Sequence, residues 1–272
     1  PTARLAALRA LAQVPLLHAE ANLAAFEPVL VAQLWLTCSD ENAACARAAA
    51  AAWSLLDVSE VGEELQPLPE LLESELLPWL AATEERQRIQ AAAALAAAAT
   101  REPRRLQPLL QSLFELYKAR LPGAGGGAEV GPPDASDEDG DAGWLGREGV
   151  AIALGTLAPL LDPRLHLPVV FAFLKRTFAD EREAVAQAMV AAARTLIERQ
   201  PSPAEMLPLL LPMLENSLAE AATTEEQDRV RRGLVLSLGA LAAHMEPDDP
   251  RVAPVLQRLI DTLSTPSEAV QR

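Results

Sequence analysis

The side chains of this chain that could perform chemistry are few and widely spaced. Its three histidines are His18, His166 and His244, and none has an acidic or cysteine partner at a spacing that suits catalysis or metal binding. Cys38 and Cys45 form neither a CxxC motif nor half of a four-ligand zinc pattern. We therefore expect partly buried or surface histidines and two reduced, packed thiols, with no metal site.

The segment 122–143 is glycine-rich in its first half and acidic in its second. Gly123 to Gly127 has no preceding strand and no following Gly-Lys-Ser/Thr, so it does not predict a phosphate-binding loop. The segment holds no Lys or Arg and almost nothing apolar, which predicts a disordered insertion. It lies between the two helices of the third predicted helix pair, Pro103 to Leu121 and Trp144 to Leu161. Ser136 in Ser-Asp-Glu-Asp is a candidate phosphorylation site. The segment is either a tolerated loop extension or an acidic arm for a basic partner.

The acidic residues of the chain are spread along the surfaces of its helices. No pair of them can be assigned as general acid and general base. We therefore predict that the chain is not an enzyme, uses no cofactor and has no catalytic residue.

Basic residues form the remaining candidate site. Candidate contacts with a partner are Arg104, Arg105, Lys175, Arg176, Arg229, Arg231 and Arg232. Basic residues at such places in helical repeats also form ladders with Asp or Glu of the next repeat, and both interpretations stay open. The chain has 23 Lys and Arg against 38 Asp and Glu, a formal net charge of −15. Because phosphate binding depends on clustered Lys and Arg, any RNA contact would be local, and basic proteins are equally suitable partners.

Helices must position these side chains. Half of the residues are hydrophobic but only 4% are aromatic, and the bulk is Ala and Leu, which favour helix. Arg, Glu, Gln or Pro interrupts every apolar run before the roughly 18 to 20 residues that a membrane span needs. We therefore expect a soluble protein, and we predict a cytoplasmic location. The chain starts at Pro1 without a signal-peptide pattern, so we expect either a processed start or a cut piece.

Helix pairs recur with a regular period. Second helices begin at corresponding positions before Val185, Val230 and Val270, at spacings of about 45 and about 40 residues. This period predicts an all-α, HEAT-type α-solenoid (an armadillo-like superhelix) of about five to six helix pairs. We expect one array over 1–272, and the lack of a polar cap at either end predicts an internal fragment of a longer solenoid.

The apolar pattern also predicts the extent of each helix. The predicted helices are Ala3 to Val14, Leu23 to Leu36, Ala43 to Leu56, Pro69 to Ala81, Glu84 to Thr100, Pro103 to Leu121, Trp144 to Leu161, Leu165 to Ala179, Arg182 to Arg199, Pro203 to Ala222, Glu225 to His244 and Asp248 to Ser264. Alanines on the fifth of these let neighbouring backbones come close.

Five stretches are more specific than helical periodicity. They are Leu113-Phe-Glu-Leu-Tyr-Lys-Ala-Arg-Leu followed, after the loop, by Trp144-Leu-Gly-Arg-Glu-Gly-Val-Ala-Ile-Ala-Leu-Gly-Thr-Leu; Phe171-Ala-Phe-Leu; Val235-Leu-Ser-Leu-Gly-Ala-Leu-Ala-Ala-His; and the run from Asp249 to Gln271 with its Leu-Ser-Thr-Pro-Ser. Together they resemble the general-control translational activator family, the large ribosome-associated HEAT-repeat activators of the initiation factor two alpha kinase. The resemblance places the chain just before the family's elongation-factor-three-like region.

The resemblance implies a function but no site. It implies a scaffold segment of a ribosome-associated translational regulator that helps to activate the kinase in amino-acid starvation and ribosome stalling. The implied partners are the ribosome, through ribosomal proteins and local rRNA, and the kinase, through regions outside this segment, with no membrane and no small-molecule substrate. Two alternatives stay open: a generic HEAT adaptor of the transport-receptor or phosphatase-scaffold type, and structural support for an active site elsewhere in a longer chain.

Overall fold

The computed structural model describes residues 2–17, 28–55, 68–122, 143–221 and 225–263. Twelve α-helices lie in these ranges. They are α1 (Thr2–Leu17), α2 (Pro28–Cys38), α3 (Ala43–Leu55), α4 (Leu68–Leu76), α5 (Glu85–Arg101), α6 (Leu106–Ala119), α7 (Gly143–Leu157), α8 (Leu167–Thr177), α9 (Glu183–Glu198), α10 (Pro203–Glu220), α11 (Glu225–Ala242) and α12 (Val252–Leu263). No strand occurs in the described ranges, and the predicted all-α class is confirmed. Contacts divide the chain into two compact units, Pro1–Ala153 and Leu154–Arg272.

Within the described residues, the predicted helix boundaries agree with the structure to within a few residues, except where prolines intervene. The predicted start of the second helix, 23–27, lies outside the described residues. The predicted helix from Pro69 to Ala81 is α4 followed by a 3₁₀ turn, Leu77–Ala81. A second such turn, Pro103–Arg105, precedes α6, and a third, Ala158–Leu160, follows α7. Because proline has no backbone N–H, Pro78 and Pro159 cannot donate the bond that would continue an α-helix.

In the first unit, successive helix pairs are joined by hydrogen bonds from side chains to backbone carbonyls. α2 packs on α3, α4 and α5, and α1 packs on α3. The indole Nε1 of Trp35 on α2 donates to the carbonyl of Ala94 on α5 at 2.9 Å, and the amide of Gln90 donates to the carbonyl of Leu36 at 2.9 Å. Four alanines of α5, Ala91, Ala92, Ala94 and Ala99, are buried. These small side chains allow the close approach that the sequence predicted.

The turn between α2 and α3 is built around Asp40, which is 6% exposed. Its Oδ1 accepts the N–H of Asn42 at 2.8 Å and its Oδ2 accepts Nη1 of Arg4 at 2.6 Å. The side-chain oxygen of Asn42 in turn accepts the N–H groups of Ala44 and Cys45, which caps α3. Asp40 and Asn42 therefore act together as a helix start signal.

α7 begins against the end of α6. Arg147 is fully buried and its Nη1 donates to the carbonyl of Arg120 at 2.6 Å. A Cβ on Gly143 would lie 2.6 Å from the same carbonyl oxygen, and a Cβ on Gly149 only 1.9 Å from the carbonyl oxygen of Leu80. Arg120 and Gly143, which lie at the two ends of the predicted insertion, are therefore close together. Residues 123–142, including Ser136, are outside the described residues, so the insertion itself remains a prediction.

In the second unit, α8 packs on α9, α10 and α11, while α11 contacts α9, α10 and α12. The turn between α8 and α9 repeats the arrangement of the Asp40 turn, because Asp180 is also 6% exposed and accepts the N–H of Arg182 at 2.9 Å. The core of this unit is formed by leucines and small residues on the facing sides of these helices. Every helix in the described ranges is too short or too polar to cross a bilayer.

Candidate functional site

An open groove of about 730 Å³ lies between α9 and α11 in the second unit. We call it the α9–α11 groove. Its lining consists of Phe178, Glu183, Ala186, Gln187, Val190, Ala191, Arg194, Arg229, Arg232 and Leu236. Volumes of roughly 300–1,000 Å³ are typical of sites that hold a small ligand or a short segment of another molecule.

The groove is open because its two helices face each other with small side chains. Ala186 and Ala191 of α9 add little volume to the lining. On α11, Gly233 provides the space that the ring of Phe178 occupies, since a Cβ there would lie 2.5 Å from Cδ2 of that ring. Phe178 is thereby drawn in to 1% exposure, while Leu236 remains 39% exposed. The groove therefore has a packed apolar end and an accessible apolar side chain.

Charge is distributed unevenly around this groove. Three guanidinium groups, of Arg194, Arg229 and Arg232, line it together with the single carboxylate of Glu183. Glu183 Oε1 accepts the amide of Gln187 at 2.9 Å and Nη1 of Arg232 at 3.4 Å. Arg229 Nη1 donates to the backbone carbonyl of Asp180 at 3.1 Å. The lining is thus net basic in a chain whose formal charge is −15.

The basic residues predicted from the sequence differ in their partners. Three of them form ladders with a neighbouring helix pair, which was one of the two interpretations: Arg105 pairs with Glu73 at 2.8 Å, Lys175 with Glu220 at 3.5 Å and Arg232 with Glu183 at 3.4 Å. Arg231 instead pairs with Asp228 of its own helix at 3.9 Å. Arg104 and Arg176 are exposed, at the turn before α6 and on α8 respectively. Among the predicted residues, the structure brings only Arg229 and Arg232 into the described groove.

Sequence reasoning missed Arg194 and Leu236 as members of this groove. Helical spacing carried a usable signal for both. Arg194 follows Glu183 by three turns on one face of α9, and Leu236 follows Arg232 by one turn on one face of α11. The missing information was that these two faces meet.

Sequence reasoning also missed the partner of His166. Asp162 lies one turn earlier, and its backbone N–H donates to Nδ1 of His166 at 2.9 Å. Burial lowers the pKa of His166, and the N–H groups of Leu165 and Arg164 on the carboxylate lower the pKa of Asp162. This is a hydrogen-bonded turn that leads into α8, which is a structural role for both side chains.

The two cysteines lie where packing suppresses their reactivity. Cys45 is buried and Cys38 is half-buried, and neither forms a disulfide. Cys38 Sγ donates to the carbonyl of Leu34 at 3.4 Å, and burial raises the pKa of this thiol. A raised pKa keeps the thiol protonated and therefore unreactive near neutral pH.

The chain is similar to known proteins over most of its length. Residues 20–243 match the family described as "Stalled ribosome sensor GCN1, HEAT repeats". "Protein ILITYHIA" of Arabidopsis thaliana is 39% identical over 187 residues, which are 68% of this chain and 6% of that protein. "Stalled ribosome sensor GCN1" of Homo sapiens is 30% identical over 250 residues, 89% of this chain and 9% of that protein. "eIF-2-alpha kinase activator GCN1" of Dictyostelium discoideum is 30% identical over 182 residues, 66% of this chain and 6% of that protein.

The chain therefore spans less than a tenth of the length of these relatives. The matched region includes all residues of the α9–α11 groove. No solved structure matches the chain.

Proposed function

This chain belongs to the HEAT-repeat family of the stalled ribosome sensor GCN1, and on that premise we propose that it is a scaffold segment of a ribosome-associated translational regulator. In this proposal the segment helps to activate the kinase of initiation factor two alpha when ribosomes stall, and it acts in the cytoplasm. The observation that carries the proposal is the similarity to the human stalled ribosome sensor over 89% of the chain. The name of the Dictyostelium relative supplies the link to the kinase.

The segment works by holding and binding other molecules, with no catalytic step of its own. Neighbouring helices are joined by buried hydrogen bonds, such as that from Trp35 to the carbonyl of Ala94, which suit a spacer of fixed geometry. The predicted single array over 1–272, with an insertion at 122–143, fits the same function. The kinase is engaged by regions outside this segment, and the ribosome by basic residues that remain exposed here, Arg104 and Arg176.

A replacement experiment tests the scaffold function. In human cells, the 250-residue segment of the stalled ribosome sensor that aligns with this chain would be deleted, replaced by this chain, or replaced by an unrelated HEAT array with the same number of helices. We expect this chain to restore phosphorylation of initiation factor two alpha on starvation, and the deletion to abolish it. The proposal would be contradicted if the protein that carries this chain accumulates to the normal level but does not restore phosphorylation.

The unrelated array separates the two modes of action. If it restores phosphorylation as well as this chain does, length alone matters and the segment is a spacer. If it fails, the surface of this chain matters. A replacement that carries Arg104→Glu and Arg176→Glu then shows, by co-sedimentation with ribosomes, whether the exposed arginines make the contact.

A further inference from the structure

We propose that the α9–α11 groove binds a short acidic peptide segment of a partner protein, a segment that also carries an apolar side chain. This inference deepens the scaffold function and rests on it. Its binding elements are the guanidinium groups of Arg194 and Arg232 at the rim and the exposed side chain of Leu236 beside them.

Charge complementarity is the first argument. Arg194 and Arg232 are 53% and 37% exposed, and each is paired with a glutamate that is itself about half exposed, at 3.2 and 3.4 Å. Exposed pairs of this kind contribute little to stability, so their arginines can exchange a glutamate for an incoming carboxylate at small cost. Arginine is suited to the exchange because its planar fork can bind a carboxylate through two parallel hydrogen bonds.

Apolar surface inside the same groove is the second argument. Leu236 is one of the exposed large hydrophobic residues of the described chain, at 39%, and Val190 lines the groove opposite it. Arg232 stands one helical turn before Leu236 on α11, so a cationic and an apolar contact lie on one face. A peptide with carboxylates around an apolar residue satisfies both contacts at once, which a carboxylate alone does not.

The same observations disfavour nucleic acid as the occupant. Nucleic-acid affinity grows with the number of phosphates that Lys and Arg neutralise along an extended surface. Here Glu183 stands among the three arginines, and the chain as a whole carries a net charge of −15. A groove of about 730 Å³ takes a short segment and gives no track for a duplex.

Fluorescence anisotropy with the purified 272-residue chain tests the proposal. The probe is a fluorescein-labelled octapeptide, Glu-Asp-Glu-Leu-Phe-Asp-Glu-Asp, and the comparison probes carry Ser-Ser in place of Leu-Phe or consist of a 12-nucleotide oligouridine. We expect saturable binding of the first peptide and weakening by about tenfold or more when Arg194→Glu and Arg232→Glu are combined. We expect a similar loss with Leu236→Gln.

The matched control is the pair Arg104→Glu and Arg176→Glu, which changes the net charge by the same amount at exposed arginines outside the groove. It should leave peptide binding within about twofold. Because charge reversal can disturb folding, the neutral pair Arg194→Gln and Arg232→Gln repeats the test, with far-UV circular dichroism as the check on helicity. A loss in both pairs at unchanged helicity supports the proposal.

Four results would overturn it. They are no binding of the acidic peptide by the unaltered chain, equal weakening by the control pair, unchanged binding of the Ser-Ser peptide, and oligouridine binding that is tighter than peptide binding and lost through the same arginines. The last result would assign the groove to RNA. The assay contains no ribosome or kinase, so the scaffold function can fail while groove binding holds, and the reverse.

Discussion

Arginines near the start of second helices have opposite uses in the two units. In the first unit, Arg88 on α5 is 4% exposed, and its guanidinium donates to the carbonyls of Ala82 and Thr83 at 2.8 and 3.0 Å and to Glu148 at 2.5 Å. In the second unit, Arg232 on α11 is 37% exposed and has a single glutamate at 3.4 Å. Arginine is thus a buried, hydrogen-bonded residue in one unit and an accessible cation in the other.

The difference shows that position in a repeat does not decide what an arginine does. The decisive factor is what the neighbouring elements present to it. Arg88 lies near the end of a 3₁₀ turn, where the carbonyls of Ala82 and Thr83 accept from its Nη1, and Glu148 of α7 accepts from its Nη2. Arg232 faces an open groove with one carboxylate. Burial of a charge requires several partners, and only the first site supplies them.

The largest expected effect on stability comes from replacing the buried arginine, Arg88. Arg88→Met should lower the free energy of unfolding of the first unit by about 3 kcal/mol, because Glu148 and two backbone carbonyls lose their donor in a low-dielectric site. Arg232→Met should change the stability of the second unit by less than about 0.5 kcal/mol, since exposed pairs contribute little. Urea denaturation of each variant measures both values.

The distribution of tryptophan makes this measurement specific to one unit. All four tryptophans, Trp35, Trp53, Trp79 and Trp144, lie in the first unit, so intrinsic fluorescence follows that unit and far-UV circular dichroism follows the whole chain. Arg88→Met should shift the fluorescence transition, and Arg232→Met should leave it in place. Equal shifts of the fluorescence transition in the two variants would contradict the contrast between the buried Arg88 and the accessible Arg232.

A smaller effect is expected from filling glycine positions. In the first unit, Gly149→Ala places a Cβ 1.9 Å from a backbone oxygen, of Leu80, which cannot move without shifting a turn. In the second unit, Gly233→Ala meets the ring of Phe178 at 2.5 Å, and a side chain can rotate away more easily than a backbone. We expect losses of about 2 to 3 kcal/mol and about 1 kcal/mol respectively.

Gly239→Ala is the control for both substitutions. No atom lies within 4 Å of a Cβ at that position, so only helix propensity changes. Alanine should therefore raise stability by about 0.5 to 1 kcal/mol. If all three substitutions behave alike, close packing at Gly149 and Gly233 does not limit stability. Thermal denaturation by circular dichroism compares the three.

The fold was largely predictable because its signals are local. The apolar pattern acts within single helices, and the Asp40 turn sets the start of α3 through the hydrogen bonds that Asp40 accepts from Asn42 and Arg4. The 3₁₀ turns were not predicted, although each contains a proline (Pro78, Pro103 or Pro159), because a proline near a helix end is compatible with either geometry.

The candidate site was only partly predictable because it depends on two helix faces meeting. Arg229 and Arg232 were identified from their clustering, but Arg194 lies 35 residues before Arg229 and joins the site only through the packing of α9 on α11. Arg231, in the same cluster, turns instead toward Asp228 of its own helix and is 13% exposed. A cluster in sequence is spread around a helix, so its members face different neighbours.

The smallest expected effect is a pH dependence that belongs to the second unit. Burial holds the pKa of His166 below its ordinary value of 6.5, so near that pH the unfolded state binds more protons than the folded state. Stability of this unit should therefore fall as the pH is lowered through about 6.5. His166→Asn, which keeps an acceptor for the N–H of Asp162 but does not titrate, should flatten this dependence.

The described residues of the first unit contain no histidine, so the fluorescence transition serves as the internal comparison for urea midpoints by circular dichroism at pH 7.5, 6.5 and 5.5. An unchanged pH dependence in His166→Asn would show that another group causes it. Asp162 works in a separate window, because its lowered pKa contributes stability that is lost only as the pH falls below 3.8.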